Sequence, residues 1–124
     1  MDNNGCFELV IQTGDPGMTG NGYLKLYESP DPHHLPRDLK DSLVFPDRKV
    51  EYNVYVYDTD KDGKQEIILS ANALSGLGDL RIYEWEERLI EKWRSPHIQY
   101  NTLTKAIGNF NNDFQYEITA CVVG

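Results

Sequence analysis

A chain of 124 residues with 40% hydrophobic content is long enough for one domain with a modest core, and its formal charge of −8 and pI near 4.7 repel nucleic-acid phosphates and anionic membrane surfaces. No stretch approaches the roughly 18 to 20 apolar residues that span a bilayer, and MDNNGCFELV lacks the basic start and apolar core of a secretion signal. Nucleic acid and membrane insertion are therefore not expected, whereas acidic residues gathered in loops suit a hard divalent cation.

The chain opens on an acidic loop in which Asp2, Asn4 and Glu8 offer oxygens around Gly5, followed by the apolar run Leu9-Val10-Ile11. Cys6 lies in this loop and Cys121 near the far end, with no CxxC pair. Two lone buried thiols are the plain reading, and one disulfide joining the ends is the alternative. Gly14, Gly17, Gly20 and Gly22 read as a flexible turn between strands, since no helix follows to make them a phosphate cradle. GYLKLYE (Gly22 to Glu28) is the next strand. From Ser29 to Lys49 the chain carries Pro30, Pro32, Pro36 and Pro46, and it reads as a surface excursion inserted in the first unit. His33-His34 within it have no third ligand nearby and read as a solvated pair.

Val50 to Tyr57 alternates Val50, Tyr52, Val54 and Val56 with Glu51, Asn53, Tyr55 and Tyr57, the period of two that marks a strand. A second acidic loop, Asp58 to Glu66, leads into Ile67-Ile68-Leu69, a short apolar run of the kind buried on both faces. Beyond it, GDLRIYEWEERLIEKW admits two readings. Ile82, Trp85, Leu89 and Trp93 stand at helical spacing. A hairpin turning at Glu86-Glu87 is expected instead, because the matching LKLYE is followed at once by Ser29-Pro30-Asp31-Pro32, which cannot continue a helix. Both tryptophans are expected to pack inside. A third loop carries Asn109, Asn111, Asp113 and Glu117, with Phe114 in place of the glycine, and is followed by Ile118.

These segments repeat. Sliding the central loop 58 positions back lays Asp60, Asp62, Gly63 and Glu66 on Asp2, Asn4, Gly5 and Glu8, and sliding it 51 forward lays Asp58, Asp60, Asp62 and Glu66 on Asn109, Asn111, Asp113 and Glu117. Independently, Gly22-Tyr23-Leu24-Lys25-Leu26-Tyr27-Glu28 matches Gly78-Asp79-Leu80-Arg81-Ile82-Tyr83-Glu84. The expected organisation is a single all-β domain over 1–124, with units at about 1–57 and 58–108, a partial unit at 109–124, and an insertion at 29–49.

The central copy, DTDKDGKQE, has carboxylates at loop positions 1, 3, 5 and 9 and glycine at position 6. Oxygens on alternate residues of a tight turn converge on one centre, and four carboxylates together repel unless a cation joins them. Calcium is expected there, with side-chain oxygens from Asp58, Asp60, Asp62 and Glu66 and the backbone carbonyl of Lys64. An EF-hand is rejected because position 12 is Leu69 and the flanks have strand periodicity. The outer loops hold fewer charges and are expected to bind calcium more weakly, if they hold an ion and are not plain turns.

With these residues in view, DTDKDGKQEIIL, GNFNNDFQYEI, GYLKLYE and GDLRIYEW resemble the FG-GAP or VCBS repeats also found in the integrin α-subunit propeller. The resemblance implies β-propeller blades of antiparallel strands, with calcium in a hairpin loop of each blade and an extracellular or cell-surface setting. Two units and one extra strand fall short of the four to eight blades of a closed ring. Association of copies, or membership of a larger propeller, is therefore expected. No catalytic motif is present, so a non-enzymatic module that binds a protein partner is the first expectation. A glycan-binding module and an accessory blade of a larger enzyme are the alternatives.

Overall fold

The computed structural model describes residues 4–14, 20–50, 54–73, 78–97, 101–108, 110–113 and 115–123, and for 101–106 and 120–123 the backbone alone. Every regular element among them is a strand, every pairing is antiparallel, and the sheets do not close into a barrel. The first sheet is a meander of β1 (Glu8–Gly14), β2 (Gly22–Glu28) and β3 (Asp38–Phe45). In the second, β4 (Arg48–Val50) and β5 (Tyr55–Tyr57) lie along one edge of β6 (Glu66–Ala73), which pairs with β7 (Gly78–Trp85) and through it with β8 (Leu89–Arg94). The third is a hairpin of β9 (Asn101–Gly108) and β10 (Glu117–Val123).

The duplicated sequence produces duplicated pairing. Leu9 stands opposite Tyr27 as Ile67 stands opposite Tyr83, and Glu8 opposite Glu28 as Glu66 opposite Glu84. A register shift falls between Leu26 and Tyr27 in one unit and between Ile82 and Tyr83 in the other, at matching positions of the repeat. Because β-strand side chains alternate sides, Ile67, Leu69 and Ala71 face the first sheet, where they meet Leu24, Leu26 and Phe45 in one core with Tyr83 and Leu89. Ile68 and Ser70 take the other side, which β9 covers, so β6 is buried on both faces as its unbroken apolar run predicts.

The hairpin reading of 78–94 is the one the chain adopts, with its turn at Glu86 to Arg88 and Glu87 at φ 62°. Two expectations are corrected. The supposed excursion 29–49 contains all of β3 and the start of β4, and only the stretch before Asp38 and the turn at 46–47 are connections. Pro36 and Pro46 sit just outside β3, where the missing N–H costs no ladder bond, so the prolines bound the strand instead of excluding it. Trp85 packs against the core, but Trp93 is 47% exposed on β8, which among the described residues pairs with β7 alone. The His33-His34 pair is exposed, with His34 bound to Asp31 at 2.7 Å. Cys6 is a half-buried free thiol; the side chain of Cys121 lies outside the described residues.

Gly22 sits where the backbone of β4 comes too close for a side chain. A Cβ placed there would stand 2.7 Å from the Arg48 carbonyl oxygen and 3.0 Å from the Val50 nitrogen, both backbone atoms of β4 that cannot swing away. Gly22→Ala is therefore expected to lower stability by about 1–3 kcal/mol, measured by urea unfolding. A change of only a few tenths would show that β4 is free to shift.

Candidate metal centre

β5 ends at Tyr57 and β6 begins at Glu66, its register partner, so residues 58–65 are the tip of a hairpin whose base is fixed by the ladder. Within the tip, carboxylates cap the backbone they belong to. Asp58 accepts from Asp62 N and Gly63 N, each at 3.1 Å; Asp60 accepts from Asp62 N at 3.1 Å; and Asp62 accepts from Lys64 N at 2.8 Å. Lys61 at φ 63° and Gly63 at φ 92° supply the left-handed turns that curl the chain beneath these oxygens. Asp58, Asp60, Asp62 and Glu66 thereby present carboxylate oxygens that all lie within 4.8 Å of one another, a cluster that could hold a metal ion.

Glu66 differs from the three aspartates. Asp60 and Asp62 are exposed and Asp58 is half-buried, but Glu66 is only 3% exposed. Its Oε2 accepts from Thr59 N at 2.6 Å and Thr59 Oγ1 at 2.5 Å, while Oε1 is buried with no donor among the described residues. Burial pushes its pKa above the ordinary carboxyl value, and the negative charges of Asp60 and Asp58 push it further against the pull of the Thr59 bonds. An ionised, buried oxygen without a partner is costly. A cation at the centre of the cluster would satisfy it.

Lys64 extends its ammonium to Glu84 at 2.8 Å, and Lys61 lies 4.8 Å over the Tyr116 ring. Glu84 is register partner to Glu66 and equally buried, so two carboxylates face each other across the ladder, a destabilising pairing unless each is compensated. Glu84 has Lys64 at 2.8 Å and Lys92 at 3.5 Å. The first unit repeats the arrangement, with Glu28 held by Lys40 at 2.8 Å.

The flanking loops share the scaffold but gather fewer charges. Asn4 accepts from Cys6 N at 2.8 Å, as Asp62 does from Lys64 N, and Gly5 has φ 82°. In the third loop Asp113 N donates to Asn111 at 3.1 Å, Gln115 N donates to Asp113 at 3.0 Å, Phe110 N donates to Glu117 at 2.7 Å, and Asn112 takes φ 61°. These bonds copy the central loop one for one. Asp2, Asn109 and Phe114 lie outside the described residues, and among those described only 58–66 brings enough acidic groups together to hold a metal. Glu8 and Glu117 begin their strands as Glu66 does. Thr59, Glu84 and Lys92 were not legible as parts of the site. Glu84 and Lys92 come from other strands; only the recurrence of glutamate in GYLKLYE and GDLRIYEW hinted at the first.

Fold and site together define an all-β protein of stacked antiparallel sheets with an acidic hairpin loop suited to a metal ion. Comparison with protein-family models, with curated proteins and with solved structures returned no match.

Proposed function

We propose that this chain is a non-catalytic calcium-binding repeat module of the FG-GAP or VCBS type, its sheets acting as propeller-like blades that present a surface to a protein partner. The observation that carries the reading is Glu66, a buried carboxylate with one oxygen unpartnered and three aspartates beside it. Calcium suits the set because it takes six to eight oxygens in flexible geometry, whereas magnesium demands a tight octahedron and keeps its water. The Lys64 carbonyl would join the four side chains. Carboxylates saturated by such an ion are poorly placed to exchange protons, which favours a structural over a catalytic role.

Repetition also supports association with a further sheet. Ile67 and Leu69 are fully buried against the first sheet, whereas their counterparts Leu9 and Ile11 are 43% and 36% exposed. In the stack, that side of a unit is where the preceding sheet packs. A glycan-binding reading draws on exposed Trp93, which offers a ring face for stacking on a sugar; a glycan array set against a protein pull-down separates the two.

The direct test of the cation is titration calorimetry with calcium chloride on chelator-stripped protein. One dominant site is expected, lost in Asp60→Ala, with any binding at the outer loops weaker. Heat that is absent in the parent protein, or unchanged in Asp60→Ala, would refute the assignment.

A further inference from the structure

β6 is paired along both edges, by β7 on one side and by β4 and β5 on the other, and β10 has β9 on the edge that corresponds to β5. Among the described residues, β1, the counterpart of β6, is paired by β2 alone. Ser29 N donates to the Phe7 carbonyl at 2.8 Å, which fixes the phase of the ladder. Antiparallel hydrogen bonding then turns Leu9 and Ile11 toward β2 and the backbone N–H and C=O of Val10 and Gln12 away from it.

The space beside that edge is shaped for a chain. A cavity of about 390 Å³ runs between β1 and β5, lined by Phe7, Leu9 and Val10 on one side and Val54 and Val56 on the other. Val56 is 39% exposed although it pairs with Ile67, a residue of the core. A second cavity, of about 450 Å³, continues it toward Asp58 and Gly63 and shares Cys6, Phe7, Glu8 and Gln65 with the first. An apolar trough beside an open strand edge, ending in carboxylates and amides, matches an extended segment with alternating side chains.

We propose that the open edge of β1 is a strand-addition site that captures an extended peptide segment in trans, antiparallel to β1, with the pattern of β5. The other two sheets argue for that occupant, since the corresponding edge of each is filled by an antiparallel strand of this chain. Repeat alignment sets the register as well. Tyr55 pairs with Ile68 and Tyr57 with Glu66, so residues equivalent to Tyr55 and Val56 fall opposite Val10 and Leu9. The site goes beyond the cation reading and does not depend on it.

The probe is a labelled synthetic peptide, VEYNVYVYD, the sequence of residues 50–58. It is added to the full chain both in calcium and in chelator, with fluorescence anisotropy reporting binding and NMR hydrogen exchange reporting the contact. Saturable binding is expected, with exchange of the Val10 and Gln12 amides slowed by about tenfold or more. N-methylation of the peptide at the Tyr55 and Tyr57 amides, which face the ladder, should weaken binding by about tenfold or more, while N-methylation at Val54 and Val56 should leave it nearly intact. The chemistry resides in the peptide, so the result does not hinge on whether a β1 variant folds. Equal loss from both methylations, or binding without protection of Val10 and Gln12, overturns the proposal. So does protection gained at Ile68, which would mean that the peptide replaces β5. Protection of Val10 and Gln12 that rises with protein concentration in the absence of peptide makes a second copy the occupant and also overturns it.

Discussion

In the presence of chelator Glu66→Gln is expected to melt no lower than the parent protein, and it should gain nothing from calcium. In the parent, millimolar calcium should raise the melting point on the order of 10 °C, since a ligand at about a hundred times its Kd adds roughly 2.7 kcal/mol to a domain of this size. The neutral amide keeps an oxygen for the Thr59 donors and removes the buried charge that burial and the neighbouring aspartates disfavour. Acidity should act in the same direction. The folded pKa of Glu66 lies above its ordinary value of 4.5, so its contribution to metal-free stability is full below that value and is lost as pH rises through the folded pKa. Calcium should therefore stabilise most at neutral pH and progressively less in acid. Differential scanning calorimetry over pH, with and without calcium, measures both effects. A metal-free Glu66→Gln protein that melts well below the parent would show that the carboxylate has a partner other than a cation.

The largest loss of stability is expected from Asp79→Ala. Asp79 is fully buried where the first two sheets meet, and two guanidinium groups and an imidazole nitrogen converge on it: Arg81 Nε at 2.5 Å, Arg48 Nη1 at 3.3 Å and His97 Nδ1 at 3.3 Å. Arg81 is itself buried, its guanidinium 5.3 Å over the Phe45 ring. Removing the carboxylate strands that charge, which costs about 3–5 kcal/mol. Adding Arg81→Met to Asp79→Ala should recover a large part of the loss, because a buried pair replaced by apolar groups costs far less than a broken one. Urea unfolding of the two variants and the parent tests this. A single-variant loss under about 1 kcal/mol would mean that water reaches Arg81.

Much of the architecture was readable because it depends on local pattern. The alternation in 50–57, the apolar triplet 67–69 and the turn residues of the acidic loops each specify strand or hairpin from neighbouring residues alone. The same logic chose a hairpin for 78–94, since repetition supplied a second copy in which prolines barred a helix. Where it failed, the deciding contacts were distant in sequence. DLKDSLVF has polar residues at several positions and prolines close to both ends, and it becomes β3 because β2 offers a paired edge from Gly22 to Glu28. Trp93 has the composition of a core residue, yet what covers a side chain is settled by the neighbouring sheet.

The sequence by itself determined the repeat, the all-β class and the spacing that brings Asp58, Asp60, Asp62 and Glu66 to one loop, because turn geometry and strand period act over a few residues. Tertiary structure alone decided that Glu66 is buried while its companions are exposed, that Lys64 is drawn to Glu84, and that Leu9 and Ile11 stay open where Ile67 and Leu69 are covered. Burial and charge compensation depend on which sheet lies against which, and a linear pattern shared by both copies carries no record of that.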